Sequence, residues 1–231
     1  MTFRLVLVSL AAVLVMSADT TLTFLDGAGV TGIGTASYGG GSAPLVGSGI
    51  AISELIVTGA PVNNGTYIVT GGLSCPSEIV GPLTCGTLAF TTGAGNQTGT
   101  SAGVNIFAGG GSITVTGTVE TLGLVPIATG NLATGSFTGA VATASSSIGN
   151  GIDVKNQTLL NYLGITNPDF TFAQVTLDMG VVNPNSAFST TVNTASFENS
   201  ETPEPRWTAG LLLVGLVGGL FAARRFRVQQ S

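Results

Sequence analysis

A chain of 231 residues that is 44% hydrophobic, only 7% charged and free of histidine does not have the make-up of an ordinary soluble globule. Between Asp19 and Thr202 ten acidic residues face a single base, Lys155, for a net charge of −9. Such a surface repels phosphate backbones, so nucleic acid is excluded as a partner.

The chain opens with Met1-Thr2-Phe3-Arg4, runs uncharged from Leu5 to Met16 and reaches small residues at Ser17 and Ala18. Basic, apolar and small in that order is the layout of a secretory signal, so residues 1–18 are expected to direct export, with cleavage after Ser17 or Ala18. The apolar run is short of the ~20 helical residues that a ~30 Å hydrocarbon core requires, which argues against a retained anchor. Export places the two cysteines in an oxidising compartment, where Cys75 and Cys85 are expected to pair. The enclosed segment carries Pro76, Gly81 and Pro82 and reads as a small stapled loop worth ~2–3 kcal/mol by chain entropy. Zinc is the other use of two cysteines, but without histidine they cannot complete a tetrahedron unless carboxylates join.

From residue 19 to 198 apolar residues alternate with Thr, Ser and Gly in short runs, the pattern of half-buried strands. Candidate strands are Thr21–Leu25, Ile50–Val57, Tyr67–Thr70, Thr87–Thr91, Ile113–Glu120, Ser136–Thr143, Phe172–Met179 and Phe188–Thr194. In one, Ile113, Val115 and Val119 share a face opposite Thr114, Thr116, Thr118 and Glu120. In another, Ala173, Val175, Leu177 and Met179 oppose Phe172, Gln174, Thr176 and Asp178. Turn signals fall at Asp26-Gly27, Asn64-Gly65, Asn150-Gly151, Asn167-Pro168 and Asn183-Pro184. One helix is expected over Lys155–Leu163, with Leu159, Leu160 and Leu163 on one face and Gly164 as its C-cap. The expected ectodomain is therefore all-β, an antiparallel β-sandwich or jelly-roll-like fold with one short helix; a β-solenoid is the other architecture such strands allow. No repeat of fixed period is present.

The tail, 199–231, has three parts. Glu201-Thr202-Pro203-Glu204-Pro205-Arg206 precedes an uncharged run from Trp207 to Ala223, and Arg224-Arg225-Phe226-Arg227 follows it. As a helix the run 207–223 is ~25 Å long, a short transmembrane span that Trp207 and the flanking arginines extend at the interfaces. The C-terminal arginines place that end in the cytoplasm, and Arg4 places the N-terminus there too, so the middle of the precursor lies outside. Pro203 and Pro205 hold the motif extended, which is the form a protease groove binds.

This tail resembles the PEP-CTERM sorting domain of Gram-negative bacteria. Pro203, Glu204 and Pro205 match the triplet, Leu211 to Ala223 the helix, and Arg224, Arg225 and Arg227 the basic cluster; Arg206 departs from the small or apolar residues commoner there. The resemblance covers the tail alone. It implies that the chain is the substrate of an exosortase-type membrane processing enzyme, reaches the cell surface or medium through the export machinery, and is associated with exopolysaccharide and biofilm matrix. An ordinary single-pass anchor is the plainer reading of the same tail.

Two chemical motifs fail on context. Gly27-Ala28-Gly29-Val30-Thr31-Gly32 fits a dinucleotide fingerprint, but Gly34, Gly39, Gly40 and Gly41 forbid the helix it must open. Gly99-Thr100-Ser101-Ala102-Gly103 fits a nucleophile elbow, but the chain has no histidine to act as base. No catalytic residue, metal or cofactor is expected, and the leading expectation is a non-enzymatic structural or adhesive surface protein. The alternatives are a membrane-anchored module binding glycan or calcium and, third, an acid-pair glycoside hydrolase, for which Tyr38, Tyr67 and Tyr162 are the only ectodomain Tyr or Trp platforms.

Overall fold

In the computed structural model the described residues are 19–201 without 27–29, 31, 76–82, 97–102 and 185. The expected signal segment and tail residues 202–231, which include the expected transmembrane run, lie outside them, and no described helix is long and apolar enough to cross a membrane. The described strands are β1 (Thr21–Leu25), β2 (Thr35–Tyr38), β3 (Pro44–Ile52), β4 (Glu54–Thr58), β5 (Gly65–Thr70) and β6 (Leu73–Cys75). They continue with β7 (Leu83–Asn96), β8 (Val104–Glu120), β9 (Pro126–Thr143) and β10 (Ser146–Lys155). Helix α1 (Gln157–Leu163) precedes β11 (Asp169–Met179) and β12 (Phe188–Glu201).

All pairings are antiparallel, and the all-β expectation with one short helix holds. The strands form one sheet that joins end to end, where two packed sheets were expected. The long strands β8 to β12 lie side by side. At one end β1, β4 and β5 close the sheet between β12 and β8; at the other end β2, β3 and β7 do so. Each closure removes an edge that would otherwise present unpaired backbone groups. The upward strands β8, β10 and β12 all finish at the first end, and β1 begins there, with Thr21 opposite Ser200 and Glu201 N–H donating to Thr20 O at 2.9 Å.

Several boundaries differ from expectation, each for a local reason. Strand β12 runs on to Glu201 because β1 and β11 supply partners on both sides, so the β domain extends past residue 198. The Ile50–Val57 run breaks at Ser53, which donates its N–H to Leu25 O at 2.9 Å and its hydroxyl to Asp26 O at 2.6 Å. Asn150-Gly151 is a bulge inside β10, not a turn. A second bulge between Phe172 and Gln174 reverses the alternation of β11: Phe170 and Phe172 point inward before it, Val175, Leu177 and Met179 after it. Lys155 ends β10, and Asn156 caps the helix by accepting from the N–H groups of Thr158 and Leu159 at 3.0 and 3.3 Å. Gly164 closes α1 in the left-handed conformation at φ 72°, as expected. The buried Leu159, Leu160 and Leu163 join the core at the first end.

The core is an aromatic chain. Phe24, Phe197, Phe172, Phe137 and Phe90 follow one another at centroid distances of 6.0, 5.3, 5.3 and 5.7 Å, each pair contributing ~0.5–1.5 kcal/mol beyond its buried area. Inward glycines make room for the rings. A Cβ on Gly47 would lie 2.1 Å from the Phe90 ring, one on Gly149 2.6 Å from Phe137, and one on Gly151 2.3 Å from Phe172.

Candidate functional site

Strand β10 is inside out. Its apolar residues Ile148, Ile152 and Val154 are exposed, while Ser147, Gly149, Gly151, Asp153 and Lys155 face the interior. A half-buried strand is expected to bury its aliphatic face, so a residue set that turns the chain's only lysine inward points to the interior as the place where polar chemistry sits.

The Lys155 and Asp153 side chains are fully buried. Lys155 Nζ donates to Asp153 Oδ2 and, at 2.8 Å, to Oδ1 of Asn199 on β12, itself fully buried. Asn199 Nδ2 donates to Leu22 O at 3.0 Å and to Phe197 O at 3.1 Å, which fixes the amide with its oxygen towards the lysine. Asp153 Oδ1 has no partner among the described residues. Around this centre stand Phe197, Phe170 and Phe24, with Nζ 5.0, 5.1 and 5.9 Å from their ring centroids. Removal from water is costly to an ammonium, and burial holds the Lys155 amine well below the ordinary lysine range. The result is a dry pocket in which an amine, a carboxyl and a carboxamide converge.

The expected disulfide is present: Cys75 is bonded to Cys85. It joins β6 to β7, so Leu83 and Thr84 belong to a strand, not to a loop. The sorting motif Pro203, Glu204 and Pro205 and the basic stop Arg224, Arg225 and Arg227 lie outside the described residues. Among the described residues no three of His, Cys, Asp and Glu cluster as a metal site would require. Asp153 and Asn199 were not singled out from the sequence; the signal that could have found them is the parity of β10, where Asp153 and Lys155 alternate with Ile152 and Val154.

A second acid stands out at a shallow indentation lined by Val30, Ile33, Ile50 and Val192. Asp26 Oδ2 accepts Ala195 N–H at 3.1 Å. Burial, aided by the nearby Glu54 charge, pushes its carboxyl up to about 6 despite that bond. An acid raised above its unfolded value stabilises the fold below pH ~4 and loses that contribution as pH rises through ~6. Because Asp26 is only partly buried, solvent screening cuts the effect to ~1 kcal/mol. Asp26→Asn is therefore expected to remove a fall in urea midpoint between pH 4 and 7 that the parent shows; parallel curves for the two proteins would contradict this.

No protein-family model, curated protein or solved structure matches this chain.

Proposed function

We propose that the chain is an exported surface or extracellular-matrix protein of a Gram-negative bacterium, sorted and processed through its PEP-CTERM-like tail, with a structural or adhesive role in exopolysaccharide or biofilm. The observation that carries this reading is the tail itself: Pro203-Glu204-Pro205, an uncharged run and three arginines, in a chain that opens with a signal-like segment.

Features of the β domain support it. Both ends that lead to membrane-directed segments lie together, with Thr21 and Ser200 paired, so one membrane surface can hold both without opening the sheet. The β8–β9 hairpin tip at that same end exposes Leu122, Leu124 and Val125, an apolar edge suited to a lipid interface. The outer face carries cross-strand hydroxyl pairs, Thr35 with Ser48 at 3.0 Å, Thr118 with Thr129 at 3.2 Å and Thr171 with Ser200 at 3.4 Å. A hydroxyl-rich surface suits hydrogen bonding to polysaccharide or lateral association of copies.

The test is the intact mass of the protein recovered from its host's envelope and medium, beside a variant carrying Pro203→Ala, Glu204→Ala and Pro205→Ala. The native form is expected to lack the residues after the motif, and the triple variant to keep them in the membrane fraction. Retention of Arg224 to Ser231 in both would make the tail an ordinary anchor.

A further inference from the structure

We propose that Lys155 and Asn199 are a modification site at which the folded protein closes an intramolecular amide bond between the lysine Nζ and the asparagine Cγ, releasing ammonia, with Asp153 as the acid–base group. The inference rests on the interior of the β domain and is independent of the tail.

The parts required for such a reaction are an unprotonated amine, a fixed carbonyl, a proton carrier and exclusion of water. Nζ lies 2.8 Å from Oδ1 of Asn199, the atom bonded to the carbon under attack, so the nucleophile is held within reach of it. The two hydrogen bonds from Nδ2 to Leu22 O and Phe197 O fix the plane of the amide. Asp153 touches Nζ through Oδ2 and has a second oxygen without a partner among the described residues, an unused acceptor and donor position in a fully buried site. Phe24, Phe170 and Phe197 keep the pocket apolar, and burial favours the neutral amine.

The steps balance without any further reagent. Transfer of a proton from the Lys155 ammonium to Asp153 replaces a buried ion pair by a neutral amine and acid. The amine lone pair forms a bond to Cγ of Asn199 while the Asp153 acid donates its proton to the developing oxyanion. Asp153 then takes the proton shed by the substituted nitrogen and passes it to the former Nδ2; as the Cγ–Nδ2 bond breaks and ammonia leaves, the hydroxyl on Cγ returns its proton to Asp153 and the carbonyl re-forms. Amine plus carboxamide gives secondary amide plus ammonia, with no change of oxidation state. The product ties β10 to β12 through the interior and leaves only two residues of β12 between the bond and the chain that continues into the tail.

The chain offers its own assay, because Lys155 is its only lysine and acylation of its amine removes a tryptic site. The protein recovered from its host is denatured, reduced and digested with trypsin. The expected result is no cleavage after Lys155 and a single fragment that carries both Lys155 and Asn199, ends at Arg206 or at the processed C-terminus before it, and is lighter than its sequence by one ammonia, with fragmentation placing the join between Lys155 and Asn199. Cleavage after Lys155 into fragments of unmodified mass would overturn the proposal. A loss of one water with the join at Asp153 would overturn the assignment of Asn199 as the electrophile. Asp153→Ala and Asn199→Ala, each checked for a folded near-ultraviolet dichroism spectrum, are expected to restore cleavage after Lys155. Bond formation that persists in folded Asp153→Ala would overturn the acid–base role. The parent's mass decides the central point even if neither variant folds.

Discussion

Lys155→Ala is expected to destabilise the protein by ~3–5 kcal/mol at neutral pH, because it leaves the Asp153 carboxyl in an aromatic pocket without its partner. For a domain of this size that corresponds to a fall in thermal midpoint on the order of 10 °C. An exposed pair would give ~0–1 kcal/mol, so the size of the loss separates the two situations. Any covalent tie between Lys155 and Asn199 would be lost as well, which moves the result in the same direction. The double variant Lys155→Met with Asp153→Leu removes both charges and is expected to unfold at a higher urea concentration than either Lys155→Ala or Asp153→Ala. Should the double variant be the least stable of the three, the cost would lie in lost packing and not in an orphaned polar group.

This centre was poorly legible in the sequence, and the reason is physical. The alternation of Ile113, Val115 and Val119 against threonines reports one buried face, and all three are buried as that pattern requires. Strand β10 carries the same period with the opposite meaning: its aliphatic residues face out, and the interior partners that make this tolerable, Asn199 and the three Phe rings, come from β1, β11 and β12. Period gives the two faces of a strand but not which one is inside when the apolar set is on the wrong side. Asn150-Gly151 and Phe172 fail for a related reason, since a bulge keeps pairing while shifting parity, and its residue types are those of a turn. The helix was legible over its apolar face and C-cap because Leu159, Leu160, Leu163 and Gly164 are local signals. Its start was not, because Lys155 pairs with Ala133 of β9 and donates its N–H to Pro168 O, just before β11. Closure of the sheet depends on which strands meet far along the chain, Thr21 with Ser200 above all, and no local pattern encodes that. The disulfide was legible because two cysteines in a chain read as exported leave one pairing.

Gly47→Ala is expected to destabilise the domain by ~1–3 kcal/mol or more, although alanine suits a strand better than glycine does. The three atoms nearest its Cβ would all belong to the Phe90 ring, at 2.1, 2.5 and 2.7 Å. The ring is itself held edge-on by Phe137 at 5.7 Å, so it cannot swing away without disturbing the aromatic chain behind it. Because the obstacle is one side chain, Phe90→Leu is expected to relieve it: in a double-mutant cycle the pair should be less destabilised than the sum of the single changes, with a coupling energy of ~1 kcal/mol or more. Gly151→Ala is the contrasting case. There the Cβ would lie 2.1 Å from the Ser136 carbonyl oxygen as well as 2.3 Å from the Phe172 ring, and a ladder carbonyl cannot withdraw without breaking the β9–β10 pairing. Phe172→Leu should therefore rescue Gly151→Ala far less than Phe90→Leu rescues Gly47→Ala, by urea denaturation of the parent and all six variants. Equal rescue at both positions would mean that the glycines are there for the rings alone, and that the close approach of strands β9 and β10 imposes no requirement of its own.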